Sequence, residues 1–354
     1  MLYFDKEKII VFEGGSKMKK VLVICISSVL ALSALCGCAS SAPAAAPAAK
    51  EEAVPAAKEE ASPVAKEEAA PAKDKYVIKG TLQDMSNEFM VMLKNAMDER
   101  VKDMPDVELN ILDGEGSPEK QVSQIENFIA EGVDAIILCP QDGTALVPAV
   151  REAIDAGIPV IMCSADVDEQ VGQVLVGSNH KDAGIMQAEY VADQLGGKGK
   201  IAYLRGPIGH FAEVQRAEGT MEIFEKYPDI EIVFDQTGEW DRDKGMSLME
   251  TWLQTDTAFD CVMSQNDEMV LGAVQALEAA GKNDEILSTG MDAIDDALQA
   301  IKDGRLDSTI FQDAAGQGAG ALEVAYDAAQ GKEVSERVIP WALVTKENVD
   351  EFMK

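Results

Sequence analysis

The stretch Met263–Leu277, MSQNDEMVLGAVQAL, continues an apolar run, FDCVM (259–263), and then changes period. Up to Met263 the residues suit a buried strand. After Asp267 the apolar positions Val270, Ala273, Val274 and Leu277 recur at the spacing of one helix face. A strand therefore runs directly into a helix, with four polar residues, Ser264 to Asp267, at the junction. Two readings of that junction stand side by side. Open α/β sheets bind ligands at the carboxyl ends of their strands, and Asn266 or Asp267 also suits a plain helix N-cap.

Working outward, the same alternation covers the chain from Tyr76 onward. Strands are expected at YVIKGTL (76–82), VELNIL (107–112), AIILCP (135–140), PVIMCS (159–164) and QVLVGS (173–178). Five more follow at KIAYLRG (200–206), IEIVFDQ (230–236), FDCVMSQ (259–265), EILSTGM (285–291) and STIFQD (308–313). Helices with apolar faces lie between them. One carries Met90, Leu93, Met97, Val101 and Met104, another Val122, Ile125 and Ile129, a third Ile294, Leu298 and Ile301. Such alternation implies parallel sheets covered by helices. About 280 residues with some ten strands exceed an ordinary single domain, so two lobes are expected. A closed barrel is the alternative, and the chain lacks its eightfold regularity.

The first 75 residues have a different character. Lys17-Met18-Lys19-Lys20 precedes fifteen mostly apolar residues, VLVICISSVLALSAL (21–35), and then Cys36-Gly37-Cys38. A basic start, a short apolar core and a small-residue exit predict an export signal over 1–37. The apolar run is shorter than the roughly 20 residues a membrane span needs. Residues 1–17 lack signal character, which places the expected initiator at Met18. Leu35-Cys36-Gly37-Cys38 resembles a bacterial lipobox, and that resemblance implies cleavage before Cys38 and a lipid on its thiol. Residues 38–75, rich in Ala, Pro, Lys and Glu, read as a disordered tether between membrane and domain.

Composition excludes several classes of function. Cleavage before Cys38 removes five lysines and three acidic residues, which takes the net charge from −32 to about −34. No basic face is available for nucleic acid. Cys139, Cys163 and Cys261 each sit near the end of an apolar run, without metal-ligand spacing, and read as small core residues. Gly316, Gly318 and Gly320 have the wrong spacing for a dinucleotide loop and suit close helix packing instead. GGKGK (196–200) is not a P-loop, and no Ser occupies a G-x-S-x-G turn. With only two histidines in the chain there is no convincing nucleophile–base pair. No enzyme, cofactor or metal is expected.

Residues at the strand ends carry what functional information remains. They are Asn87 and Phe89 after the first strand, Ser164, His210, Arg216, Trp240, Asn266, Asp292 and Gln312. The set holds flat aromatics and hydrogen-bonding groups that are mostly neutral, plus one Asp and one Arg. Some also have a bland reading, Arg216 as an ion-pair partner at a helix start and Asp292 as a cap, while Trp240 breaks from a polar segment, TGEWDRDKG (237–245). His180, in GSNHKDAG (177–184), reads as structural, Trp252 as core, and Trp341 as part of the last strand region.

Seven stretches in order resemble the periplasmic sugar-binding proteins of ATP-driven transporters, of the ribose and glucose/galactose type. They are NEFMVMLKNAM (87–97), IENFIAEGVDAIILCPQD (125–142), AIDAGIPVIM (153–162), AEGTMEIF (217–224), SQNDEMVLGAVQALEAAGK (264–282), TGMDAIDDALQAIKDGRL (289–306) and LVTKENVDEF (343–352). The resemblance covers Tyr76 to Lys354. It implies an α/β fold of the type I periplasmic-binding-protein class: two Rossmann-like lobes with parallel sheets, joined by a three-crossing hinge. The lobes would comprise 76–178 plus 312–338 and 179–311 plus 339–354.

The resemblance also implies roles for the strand-end residues. Asn87 matches a hydroxyl-binding position and Phe89 a stacking aromatic. Arg216, Asn266 and Asp292 match polar ligand contacts, and Gln312 matches an amide at a hinge crossing. His210 and Trp240 match ligand positions of the glucose/galactose branch. Asn266 is thus expected to face the cleft, with Asp267 beginning or capping the helix. Aromatic rings suit the C–H faces of a pyranose, and bidentate polar groups suit its hydroxyls.

There are also departures from the family pattern. Ser164-Ala165 stands where ribose-type members have Asp-Arg and glucose/galactose-type members Asn-Lys. Ala212 replaces an Asp of one branch, Val214 an Arg of the other, and the calcium loop has no match. The expected ligand is a monosaccharide or a polyol with fewer charged contacts. The expected protein is a monomeric, extracytoplasmic, lipid-anchored solute-binding protein that delivers to the permease of an ABC transporter. A sensor presenting its closed form to a chemoreceptor or histidine kinase is the alternative. A sugar-responsive repressor is disfavoured, because an export signal, not a helix-turn-helix, precedes the core.

Overall fold

Twelve strands and nine α-helices alternate through residues 73–353, which are the residues described by the computed structural model. The expected signal peptide, Cys38 and nearly all of the tether lie outside the described residues. No helix among the described residues is long and apolar enough to cross a membrane.

Five strands and a short sixth make the first sheet. These are β1 (Tyr76–Leu82), β2 (Val107–Asp113), β3 (Ala135–Leu138), β4 (Val160–Ser164), β5 (Val174–Gly177) and β11 (Arg337–Val338), in the order β11-β5-β4-β3-β1-β2. Every pairing in it is parallel. The second sheet contains β6 (Lys198–Arg205), β7 (Asp229–Thr237), β8 (Cys261–Ser264), β9 (Leu287–Thr289), β10 (Ser308–Phe311) and β12 (Ala342–Thr345). Its order is β12-β10-β9-β8-β6-β7, and only β12 runs antiparallel, beside β10. The chain passes between the sheets three times: after β5, after β10 and after β11.

Helices cover both faces of each sheet, which is why the central strands are continuously apolar. On the first sheet, α1 (Glu88–Arg100) and α9 (Ala314–Ala329) enclose a core around Ile78, Leu93 and Ile137. On its other face α2 (Pro118–Glu131) and α3 (Gly143–Asp155) pack over Ile136, Leu138 and Met162. On the second sheet, α4 (His180–Gln194) and α5 (Phe211–Phe224) bury Tyr203, Cys261 and Met263. Opposite them, α6 (Arg242–Leu253), α7 (Asp267–Ala279) and α8 (Asp295–Asp303) cover Val262, Val274 and Trp252. A small fifth core of Ala183, Met291, Ile310 and Trp341 lies at the crossings. Trp252 is core, as expected. The helix expected to include Val101 and Met104 ends sooner: α1 stops at Arg100, a 3₁₀ turn takes Val101–Asp103, and Met104 is buried just beyond it.

Glycines set the closest helix contacts. Gly318 faces the Leu93 carbonyl across α1 and α9, where a Cβ would sit 2.4 Å from the oxygen. This agrees with the packing role read from the glycine spacing. The α4–α5 contact is tighter still: a Cβ on Gly184 would lie 2.1 Å from the Arg216 carbonyl oxygen. Gly184→Ala must therefore force the two helices apart, at an expected cost of about 1–3 kcal/mol. For a chain of this size that lowers the melting temperature by roughly 2–4 °C per kcal/mol, which calorimetry checks directly.

Candidate functional site

The carboxyl ends of β1, β3, β4, β6, β8 and β9 face each other across the gap between the sheets. A narrow cavity lies there. All nine strand-end residues singled out from the sequence line it.

From the first sheet come Asn87 and Phe89, at the start of α1. Asn87 caps that helix, its Oδ1 accepting the Phe89 N–H at 2.9 Å. Phe89 in the first turn then presents its ring to the cavity while its far edge packs in the core. Ser164 ends β4 at φ 70°, a left-handed conformation that ordinary residues avoid.

From the second sheet come the rest. His210 caps α5, and its Nε2 lies 2.7 Å from Gln83 Nε2, which also donates to the Pro140 carbonyl at 2.8 Å. Gln83 belongs to the first sheet, so this contact joins the lobes across the cleft. Trp240 follows β7 at φ 64°. Its ring meets His210 edge-on at 5.6 Å between centroids. A Cβ on Gly206 would fall 2.1 Å from the indole, so that position has to be glycine for the ring to seat.

Asn266 resolves the opening ambiguity by taking both roles. Its Oδ1 accepts the Met269 N–H at 3.0 Å and caps α7, while its Nδ2 donates to the Trp240 carbonyl at 3.1 Å and lines the cavity. Asp267 begins α7, as expected, but it does not cap it. Fully buried, it accepts the Ile294 N–H (3.0 Å) and the Thr309 hydroxyl (2.7 Å). It thereby holds the loop that carries Asp292, whose φ is 125°.

Arg216 and Asp292 form the charged centre of the cavity, 3.8 Å apart and both buried. The ion-pair reading of Arg216 and its place in the cavity thus coincide. The capping reading of Asp292 does not hold, because Ile294 occupies the N-cap of α8. Burial pushes the Asp292 carboxyl well above the usual carboxylate range, and the Arg216 charge opposes that push. Burial likewise lowers Arg216, with Asp292 acting in the other direction. Gln312 links the pair to the hinge. It accepts from Arg216 Nη2 at 2.9 Å and donates to Ser164 Oγ at 3.0 Å.

Two further hydrogen-bonding wall residues were missed as such, besides Met90 and Cys139. Gln83 lies one residue beyond β1, where a glutamine gives no signal. His180, read as structural, lines the cavity too, and it is 1 % exposed. It donates from Nε2 to the Ser164 carbonyl (2.8 Å) and accepts at Nδ1 from Arg216 Nε (3.3 Å). Burial and the Arg216 charge hold it neutral, far below the ordinary histidine range. Where the family departures fall, the wall is made of small groups: Ser164 is spent on Gln312, and Ala165 and Ala212 are buried. No cluster of potential metal ligands occurs among the described residues.

Comparison with known proteins agrees with this geometry. Residues 80–333 match the periplasmic binding protein domain. The putative rhizopine-binding protein of Rhizobium meliloti is 39% identical over 283 residues, covering 78% of this chain and 92% of that one. The ribose import binding protein of Bacillus subtilis is 34% identical over 266 residues, covering 75% and 86%. Among solved structures, an ABC transporter solute binding protein from Bacillus halodurans with bound myo-inositol superposes with a TM-score of 0.78. It is 42% identical, and the match covers 80% of this chain and 99% of that one.

Proposed function

Because the chain belongs to the periplasmic binding protein domain family, we propose that it captures one neutral polyhydroxylated ring, a monosaccharide or cyclic polyol, between two closing lobes. The lobes are 76–178 plus 312–338 and 179–311 plus 339–354. The closed form is then presented to the permease of an ABC transporter. The protein works outside the cytoplasm as a monomer, held to the membrane by a lipid on Cys38.

The observation that carries this reading is the balance of the cavity wall. Its one buried cation and one buried anion, Arg216 and Asp292, face each other, so a ligand meets paired charges and no unpaired one. Phe89 and Trp240 come from opposite lobes and supply apolar faces for C–H groups. Asn87, Asn266, Gln83 and the charged pair supply hydrogen bonds for hydroxyls. The cavity is narrow and lined from both lobes, which suits a single ring held between them. The outer recess that shares Trp240 and Asn87 with the cavity carries Asp84, Glu239, Asp241, Asp243 and Glu268 against Arg242 and Lys244, an acidic balance that disfavours anions. Ribose and myo-inositol, named for two of the relatives, are both neutral and ring-sized.

Closure follows from differential contact. Gln83 and His210 meet only when the lobes are together, and a ligand touching both lobes stabilises that state. Tryptophan fluorescence of the chain, titrated with D-ribose, D-galactose, xylitol and myo-inositol, tests the reading. A saturable response to at least one neutral polyol is expected. Trp240→Ala should weaken it about tenfold, from the loss of roughly 1.5 kcal/mol of ring contact. Silence from every neutral polyol, with saturable binding of a charged ligand, would overturn the reading.

A further inference from the structure

The guanidinium of Arg216 is gripped by the chain on three of its edges. Nε donates to His180 Nδ1 at 3.3 Å, Nη2 to Gln312 Oε1 at 2.9 Å, and Nη1 to the Gln265 carbonyl. Three of its five N–H bonds are thus used, and one on each Nη remains. Ser164 closes a ring of hydrogen bonds, because its carbonyl accepts from His180 and its Oγ from Gln312. These hydrogen bonds hold the group along its edges.

Two tryptophans meet the guanidinium. Trp240, in the cavity wall, has its ring centre 5.5 Å from Arg216 Cζ, and Trp341 lies at the same 5.5 Å. Trp341 is not part of the cavity wall. It sits on the third crossing, just before β12, 9 % exposed and packed with Met291 and Ile310. Its Nε1–H donates to the Asn179 carbonyl on the first crossing at 2.7 Å. Its ring also meets that of His180 at 5.5 Å and 62°. One side chain thus touches the first crossing, His180 and Arg216 at once.

We propose that Trp341 is a positioning residue for ligand: from the hinge it holds the Arg216 guanidinium in the orientation that turns its two unspent N–H bonds toward the cavity. A flat aromatic face against a desolvated guanidinium is attractive and resists displacement of the group away from the ring. Affinity for a ligand hydroxyl depends on donors held within a few tenths of an ångström, so a residue that never touches the ligand sets its binding. This rests on the reading of the cavity as the ligand site.

The test uses the full chain, Trp341→Leu, which removes the flat face, and Trp341→Phe, which keeps it and loses only the N–H. Two quantities are read: calorimetric affinity for myo-inositol, D-ribose and xylitol, and hydrogen exchange of the Arg216 Nε–H. The second is followed by nitrogen-15 NMR and assigned by its absence in Arg216→Lys. Trp341→Leu is expected to weaken affinity about tenfold and to speed the exchange at least tenfold, with Trp341→Phe recovering most of both. A role confined to packing would lower the melting temperature of the Leu variant and leave the exchange, measured well below that temperature, unchanged. That result, or an affinity within twofold of the parent, overturns the proposal. If no polyol binds the parent chain, the reading of the cavity fails by itself, and the exchange measurement, which needs no ligand, still decides the role of Trp341. Should Trp341→Leu not fold, Trp341→Met fills the volume without a flat face and takes its place.

Discussion

Arg216→Met will weaken binding of the neutral polyol by about a thousandfold, roughly 4 kcal/mol, and calorimetric titration will show it. Methionine keeps the apolar stem of arginine and removes the guanidinium with its hydrogen bonds. What it leaves are three buried acceptors without their donor, His180 Nδ1, the Gln265 carbonyl and Gln312 Oε1, and the Asp292 carboxyl without its ion-pair partner. Removing one member of a buried ion pair costs about 3–5 kcal/mol, and here that member also supplies ligand contacts. Arg216→Lys will do nearly as badly, because an ammonium cannot reproduce a planar fork with three fixed edges. With the guanidinium gone, the largest influence opposing burial at Asp292 is lost and its carboxyl is pushed higher still. The double variant Arg216→Met/Asp292→Asn is therefore expected to lose less than the sum of its parts. A loss under tenfold for Arg216→Met would mean that the ligand is not held by this pair.

How much of this was legible in the chain depends on which physical signal each feature leaves. The central strands were readable because a strand buried on both faces must be continuously apolar, and the edge strands β2 and β7 because seven and nine residues are long enough to leave a pattern. β11 and β12 were not predicted as strands: Arg337 and Val338 are both exposed, and Ala342–Thr345 is a half-buried edge of four residues. Edges this short leave no such pattern. Trp341, lying between them, was accordingly placed only in a strand region and given no role. The nine wall residues were findable because doubly wound sheets bring strand ends together, whatever the side chains do there. The backbone strain was not. Ser164, Trp240 and Asp292 all have left-handed φ values, and nothing in a non-glycine residue type announces that. His180 misled for a different reason. A histidine at a helix start looks the same whether it caps, packs or grips an arginine, and here the partner lies 36 positions away. The opening junction teaches a related point: cap and cleft were posed as alternatives, but an asparagine has two ends, and Asn266 uses one for each.

Asp267 supports the strained loop from outside the cavity, and pH should expose it. Burial pushes its carboxyl up to about 7, although the Thr309 hydroxyl and the Ile294 N–H favour the ionised form. An unfolded aspartate titrates near 3.9. Between those two values the folded chain holds a proton that the unfolded chain has lost, so stability falls as pH rises through this window and levels off above it. Three units correspond to about 4 kcal/mol. Buried His210, lowered to about 4, has the opposite slope over much of the same range, and His180 acts in the same sense as His210. The parent chain alone will therefore show a muted profile. The difference between the parent and Asp267→Asn cancels the histidines and leaves the Asp267 carboxyl together with its influence on Asp292, which its charge also raises. Denaturant melts from pH 4.5 to 8 should find the parent's advantage over the Asn variant largest in acid. It should shrink by up to about 4 kcal/mol toward neutrality. Asp267→Ala removes the acceptor altogether and strands the Ile294 N–H, so it should destabilise at every pH by about 3 kcal/mol or more. It should also weaken polyol binding, because the loop that aims Asp292 at Arg216 loses its support. A parent-minus-Asn difference that is flat across this range would show that the carboxyl is already ionised in acid, held so by its hydrogen bonds against the cost of burial.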